Sequence, residues 1–240
     1  MPFAGMLVDL DDTILAFDTV AEPAWAQVCA KHAAALGCDP TALHATIREA
    51  ARRFWNDPDR HRRGRLDLLL ARREIVGAAL HGWGMAAGAA DGIAEDYTVV
   101  RDALVHPLPG ALAALDHWRQ IGVRLALVTN GAAASQRQKI DRFDLAQYFD
   151  IILVEGECGF GKPDRRIFER AQHGLALDVG QVCMVGDSLE FDIVGANGCG
   201  LYSIWIDAAA RGLPQHSPAR PDRVVRSLRC LVHEPPPPLA

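Results

Sequence analysis

Lysine is scarce in this sequence. Among its 25 Lys and Arg residues, only Lys31, Lys139 and Lys162 are lysines. The scarcity makes each lysine more informative than usual. Positive charge is not in excess either, because the net charge is -5 over 240 residues. This balance gives no general reason to expect a nucleic-acid partner.

Paired cysteines and an export signal are also missing. The six cysteines form no C-x-x-C pair and no zinc-ligand spacing. The amino terminus has no basic residue before its first apolar run, and that run stops at Asp9. We therefore expect free thiols, no secretory signal, no membrane partner and a cytoplasmic protein. The sequence does not predict the oligomeric state.

Arginine is concentrated in one segment. Between Arg48 and Arg73, nine arginines outnumber four acidic residues. A solvated helix face is one interpretation of such a segment. A basic surface that faces an anionic substrate is the other.

A short apolar run near the amino terminus leads directly into carboxylates. Met6–Val8 predicts a buried strand, and Asp9 and Asp11 follow it at a spacing of two. Extended backbone places such residues on the same side of the chain, so both can address one ligand. Close carboxylates repel unless a cation or a shared proton intervenes. The pattern predicts a metal site or an acid/base pair, with a polar turn or helix cap as the alternative.

The rest of the chain changes pattern twice. Residues 18–106 show only helical periodicity and predict a helical insertion of four or five helices. From residue 107 the chain alternates helices with apolar strands, which predicts an α/β core with a doubly wound, mostly parallel, Rossmann-like sheet. We assign residues 1–17 and 107–233 to this core and 234–240 to a proline-rich tail. Val224-Val225 with Leu231-Val232 is predicted as a last edge of the sheet.

Polar residues follow several of the predicted core strands. They are Asp9 and Asp11, then Thr129, Asn130 and Gly131, then Lys162 after the Gly-rich loop 156–161, then Asp187 and Asp192. The carboxyl ends of parallel strands meet along one edge of a sheet, so these groups are expected to converge there.

The composition of this set indicates its ligands. Four aspartates without histidine or cysteine suit Mg²⁺ rather than zinc. The Thr129 hydroxyl, the backbone N–H groups of Asn130 and Gly131, and the Lys162 ammonium are donors for phosphoryl oxygens. The sequence therefore predicts Mg²⁺ as cofactor and a small phosphorylated molecule as substrate.

The motifs together resemble the haloacid dehalogenase superfamily, most of whose members are Mg²⁺-dependent phosphatases. Asp9–Thr13 matches its D-x-D-x-T first motif, Leu127–Gly131 the second, Gly161–Asp164 the third, and Gly186–Asp192 the fourth. The helical insertion resembles the small helical cap of one subgroup. The resemblance covers residues 5–210 and implies a catalytic core with a cap domain over residues 18–106.

The resemblance also implies residue roles. Asp9 would be the nucleophile that forms an aspartyl-phosphate, and Asp11 the acid and base. Asp9, Asp187 and the backbone carbonyl of Asp11 would bind Mg²⁺, and Asp192 would hold a metal-bound water or Lys162. Catalytic Thr129 and Lys162, with Asn130 and Gly131, would hold the phosphoryl group.

Other functions stay open from the sequence. A phosphosugar mutase or a non-catalytic phosphometabolite-binding protein would share this fold. Asp11 argues against a plain binder, which does not need an acid, and against a dehalogenase, because dehalogenases of the family lack that aspartate. A phosphonatase would need a cap lysine, and only Lys31 lies in the predicted cap. The physiological substrate is not predicted.

Overall fold

The computed structural model describes residues 3–84 and 88–233, so the predicted tail over 234–240 lies outside the described residues. The chain divides into two compact units. One contains the residues up to Ala16 and those from Pro107 onward, and the other contains Phe17–His106. Each unit has a hydrophobic core of its own.

The first unit is built on a six-stranded parallel sheet. The strands of the chain are β1 (Gly5–Val8), β2 (Leu15–Ala16), β3 (His106–Pro107), β4 (Arg124–Thr129), β5 (Ile151–Val154), β6 (Val182–Gly186), β7 (Tyr202–Ile206) and β8 (Arg223–Val225). The order in the sheet is β5-β4-β1-β6-β7-β8, and every neighbouring pair is parallel. This architecture confirms the predicted α/β fold class.

The order of the strands determines where a ligand can bind. From β1, the chain fills one side of the sheet with β4 and β5 and then the other side with β6, β7 and β8. Open parallel sheets bind ligands at the carboxyl ends of the strands, where the strand order reverses. Val8 of β1 pairs with Leu127 of β4 and Val185 of β6, so these three strands end at the same level.

Outside residues 85–87, the helical unit has five helices. They are α1 (Ala21–Leu36), α2 (Pro40–Trp55), α3 (Pro58–Gly64), α4 (Leu68–His81) and α5 (Ala89–Leu104). Asp39, Asp57 and Asp67 cap α2, α3 and α4 with their side chains, as expected of aspartate before a helix. Trp25 and Tyr97 stack at 3.6 Å between ring centroids inside the core. Phe54 is buried too, so these aromatic side chains pack the interior of the unit.

Helices cover the connections of the α/β unit. They are α6 (Ala111–Gln120), α7 (Ala133–Arg142), α8 (Glu155–Cys158), α9 (Arg165–Leu175), α10 (Gly195–Gly198) and α11 (Leu228–His233), with 3₁₀ turns at Leu145–Tyr148 and Val179–Gln181 and a π-helical segment at Leu189–Val194. Among the described residues, no helix has the length and apolar character that a membrane crossing requires.

Two local predictions were wrong. The segment 156–161 was expected to be a loop, but its first residues lie in the short helix α8, which ends where Gly159 adopts a left-handed φ of 75°. Leu231 and Val232 were expected to extend an edge strand, but they lie in α11. A short apolar run does not distinguish a strand from a buried helical turn, and here Leu228 and Leu231 point one helix face into the core.

Candidate active site

The centre of the predicted site is a buried ion-pair cluster at the carboxyl edge of β1. The Lys162 ammonium donates to Asp9 Oδ1 at 2.5 Å and to Asp192 Oδ1 at 2.6 Å. Lys162 is 2% exposed and Asp192 is fully buried. Buried charges persist only when they are paired and hydrogen-bonded, so each member of the cluster depends on the others.

Asp187 completes the acidic part of the site. One carboxylate oxygen from each of Asp9, Asp187 and Asp192 lies within 4.8 Å of the others. Asp187 follows β6, and its backbone carbonyl accepts a hydrogen bond from Trp205 Nε1 at 2.8 Å, which fixes this strand end. Asp9 is therefore brought together with Asp187 and Asp192, which lie near the other end of the chain, as the strand-end pattern predicted.

The pKa values of these groups show a shortage of positive charge. Burial, together with the neighbouring carboxylates of Asp9 and Asp192, raises the pKa of Asp187 to about 9. Burial also raises the pKa of Asp9 to about 7, although Lys162 opposes the shift. Burial alone would lower the pKa of Lys162, but the attraction of Asp192 and Asp9 prevails and raises it above its ordinary value. One ammonium does not compensate three acids, of which Asp9 and Asp192 are buried and Asp187 is half-buried.

This charge deficit and the all-oxygen donor set fit a divalent cation. A hard ion such as Mg²⁺ takes carboxylate oxygens and tolerates partial hydration. Both oxygens of Asp192 are already occupied, since Oδ1 accepts from Lys162 and Oδ2 accepts from the Ser188 N–H at 2.9 Å. Asp9 and Asp187 are therefore better placed than Asp192 to offer free oxygens to an ion.

The fourth motif requires glycine at position 186, where its backbone lies against the Asp192 side chain. A Cβ on Gly186 would collide with the Asp192 carboxylate. Ser188 caps the π-helical segment that follows, and its hydroxyl accepts from the Phe191 N–H at 3.2 Å. The close turn between Gly186 and Asp192 thus returns the carboxylate to the sheet edge, where it meets Lys162.

Asn130 supports Lys162. Its side-chain amide donates to the Lys162 carbonyl at 2.7 Å, and its side-chain oxygen accepts from the Lys162 N–H at 2.7 Å. Gly161 makes this approach possible, because a Cβ there would lie 2.5 Å from Asn130 Oδ1. The Asn130 side chain is therefore committed to positioning the lysine loop.

Thr129 and Gly131 lie at the end of β4, beside this cluster. Thr129 is 1% exposed, and its hydroxyl accepts a hydrogen bond from Gln136 Nε2 at 2.5 Å. The Gly131 N–H donates to Glu155 Oε2 at 3.0 Å, so in the structure this donor is already used. Glu155 is a buried acid that the strand-end pattern did not single out.

The Asp11 side chain has partners of its own, which the sequence reasoning missed. Lys139 Nζ donates to both carboxylate oxygens of Asp11 at 2.6 Å, and Gln136 Nε2 donates to Oδ2 at 3.1 Å. Both partners lie on α7, three residues apart. The scarcity of lysine was an available signal, because Lys139 is one of only three in the chain.

The fold and the site define the class of protein. The profile of the haloacid dehalogenase-like hydrolases matches residues 3–200. The chain belongs to this family, which confirms the resemblance seen in the four motifs.

Two of the curated relatives to which the chain is similar are phosphatases. It is 36% identical to a phosphoserine phosphatase of Thermus thermophilus over 159 residues, which are 66% of this chain and 62% of the relative. It is 30% identical to a glyceraldehyde 3-phosphate phosphatase of Methanopyrus kandleri over 84% of this chain and 83% of the relative. With several other curated relatives the match spans about half of their length.

A solved structure has the same fold. The HAD-hydrolase YfnB of Bacillus subtilis, described as bound to magnesium, superposes with a TM-score of 0.75 and 22% identity over 97% of this chain and 98% of its own. At this identity the likeness shows the fold alone.

Proposed function

We propose that this protein is a Mg²⁺-dependent phosphomonoesterase that acts on a small phosphorylated metabolite through a phosphoryl-aspartate at Asp9. The observation that carries the proposal is the buried contact of 2.5 Å between Asp9 and Lys162, with Asp187 and Asp192 in the same cluster. The names of the relatives, which are phosphatases of phosphoserine and glyceraldehyde 3-phosphate, support the reaction class.

The proposed reaction has two steps. In the first, an Asp9 oxygen attacks phosphorus, the bond from phosphorus to the alcohol oxygen breaks, and Asp11 gives a proton to the departing oxygen. In the second, Asp11 takes a proton from water, the water oxygen attacks phosphorus, and the bond to Asp9 breaks to release inorganic phosphate. Asp11 leaves the cycle in its starting form.

Lys162 and Thr129 would stabilise the transferring phosphoryl group. Charge develops on its oxygens, and donors fixed in advance stabilise that charge without reorganisation. Asn130 contributes by holding the Lys162 backbone through two hydrogen bonds. The backbone N–H of Gly131 would become available to phosphate only if its contact with Glu155 were released.

The acidic residues would hold the metal. Asp9, Asp187 and the Asp11 carbonyl would bind Mg²⁺, which would offset the charge of the phosphoryl oxygens and of the crowded carboxylates. Asp192 would support Lys162 instead, because its two oxygens are already used. The helical unit would act as the cap that selects the substrate, in a cytoplasmic setting.

The test is release of inorganic phosphate from a panel of substrates. The panel contains p-nitrophenyl phosphate, phosphoserine, glyceraldehyde 3-phosphate, sugar phosphates and nucleotides. We expect phosphate release that stops with EDTA and returns with added Mg²⁺. Phosphoryl transfer between sugars without free phosphate would favour a mutase, and binding without turnover would favour a phosphometabolite-binding protein. Either result would overturn the proposal.

Two variants sharpen this test. Asp9→Asn should lower turnover by more than about 10³-fold, because the amide is not a competent nucleophile. Asp116→Asn makes the same chemical change at an exposed position of α6 and should leave turnover near the wild-type value. Near-normal turnover of Asp9→Asn would exclude the covalent route.

A further inference from the structure

Helix α7 presents two buried polar side chains to Asp11. Lys139 is 7% exposed and Gln136 is 2% exposed. Residues three apart on a helix lie on the same face, so both side chains reach the segment that follows β1. A buried lysine is uncommon, and none of the roles assigned above uses this one.

The contacts fix the orientation of the Asp11 carboxylate. Lys139 Nζ lies 2.6 Å from each of its oxygens, and Gln136 Nε2 lies 3.1 Å from Oδ2. Removing an ammonium from water costs several kcal/mol unless good partners replace the solvent. Ordering its flexible side chain adds an entropic cost. A buried ammonium held against both oxygens of the partly exposed Asp11 carboxylate indicates that the direction of that carboxylate matters.

Gln136 also connects Asp11 to the residues that would hold phosphate. The same Nε2 lies 2.5 Å from Thr129 Oγ1 and 2.9 Å from the Asn130 carbonyl oxygen. Asn130 in turn holds the Lys162 backbone. The amide of Gln136 therefore ties the position of Asp11 to the end of β4.

We propose that Lys139 and Gln136 are positioning residues that orient Asp11 toward the leaving-group oxygen of the substrate. The inference rests on the proposed function, in which Asp11 transfers a proton to that oxygen. Without the two contacts, the carboxyl group rotates freely and its transfer geometry is lost. The effect is then largest for substrates whose leaving group needs a proton.

The experiment compares two leaving groups. The kcat/KM of a phosphoryl-enzyme mechanism reports the steps up to release of the alcohol, and p-nitrophenolate leaves without protonation. The alkyl phosphate is the one that the wild type hydrolyses best in the panel. Lys139→Met should lower kcat/KM for this substrate by about 10²-fold. The loss for p-nitrophenyl phosphate should be less than about tenfold. Lys139→Arg should recover part of the activity toward the alkyl phosphate.

Three further variants test whether the loss of activity arises through Asp11. Gln136→Met keeps the ammonium and should give the same selectivity with a smaller loss, and it tests the inference even if Lys139→Met does not fold. Adding Lys139→Met to Asp11→Asn should cause no further loss, because Lys139 acts through Asp11. Lys31→Met, at an exposed lysine of α1, should show neither effect.

The outcomes separate this inference from the proposed function. If the wild type hydrolyses both substrates but Lys139→Met and Gln136→Met lose activity equally on both, or lose none, the positioning role is wrong and the phosphatase stands. The positioning role would also be refuted if the losses of activity from Lys139→Met and Asp11→Asn added up in the double variant. If the wild type hydrolyses neither substrate, the proposed function fails and the inference fails with it.

Discussion

The two units of the molecule differ in where their close ion pairs lie. The α/β unit has exposed pairs, such as Arg165 with Glu169, but it also has charged side chains in its interior that compensate one another, as in the contacts of Lys162 with Asp9 and Asp192. In the helical unit, most ion pairs lie in water, as in the exposed contact of Arg52 with Glu49. Exposed pairs contribute little to stability, whereas a broken buried pair is costly. The position of a charge, more than its number, identifies the functional unit.

The arginine-rich segment illustrates the difference. Its arginines were open to two interpretations. Arg48, Arg52, Arg53 and Arg62 are solvated, with 66–71% of each side chain exposed. Arg72 is the exception at 4%. It donates to Thr98 Oγ1 at 2.7 Å, and its guanidinium lies 5.1 Å from the centre of the Tyr97 ring. Burial and the nearby Arg101 lower the pKa of Arg72 to about 10.

Removing the Lys162 ammonium should have the largest effect on stability. Lys162→Met leaves Asp9 and Asp192 buried without their cation, so the free energy of unfolding should fall by about 3–5 kcal/mol. Lys31→Met removes a lysine whose side chain is 65% exposed and should cost less than about 1 kcal/mol. Urea unfolding followed by circular dichroism measures both. Equal losses would show that burial does not distinguish the two lysines.

A change of pH should have the next largest effect. In the metal-free protein the pKa of Asp9 is about 7 and that of Asp187 about 9, both above the ordinary value of 3.8. Between pH 3.8 and the raised pKa of each group, the native state binds more protons than the unfolded chain. The free energy of unfolding therefore falls as pH rises through this range. We expect a loss of more than about 2 kcal/mol from pH 5 to pH 9 in EDTA, because the two pH units below the Asp9 pKa already account for that much.

Added Mg²⁺ should diminish this loss, because the ion binds the ionised carboxylates. Asp187→Asn, which removes the group with the higher pKa, should flatten the profile even in EDTA. Thermal melts at several pH values measure each case. A metal-free protein that became more stable from pH 5 to pH 9 would contradict the charge deficit described for the cluster.

The smallest effect is expected in the helical unit. Arg52→Gln breaks an exposed pair with Glu49, in which the two side chains are 69% and 42% exposed. The free energy of unfolding should change by less than about 0.5 kcal/mol, and the change should shrink further in high salt. A loss of several kcal/mol in urea unfolding would mean that surface charge stabilises this unit more than its apolar core suggests.

Much of the site follows from the sequence because it depends on strand ends. A parallel sheet aligns the carboxyl ends of its strands, so Asp9, Thr129 and Asp187 need only a correct strand assignment to be placed together. The Lys162 loop and Asp192 follow from their spacing after neighbouring strands. The fold class was predictable for the same reason, since alternating helices and apolar strands favour few other arrangements.

Gln136 and Lys139 were not predictable in this way. They lie in the middle of a helix, and the face that a helix turns toward a site depends on how its apolar residues pack on the sheet. In α7 the described buried residues are Gln136, Lys139 and Ile140, so two of the three that point inward are polar. A pattern of apolar positions alone does not reveal such a face.

The proposed function depends on Asp9 acting, within the buried cluster, as a nucleophile toward phosphorus. The most direct measurement is rapid acid quenching of the protein during turnover of a substrate labelled in its phosphoryl group, with Mg²⁺ present, followed by peptide mapping. We predict a transient label on Asp9, absent in Asp9→Asn and absent in EDTA. Steady phosphate release with no label on the protein, or with the label on another residue, would contradict the account.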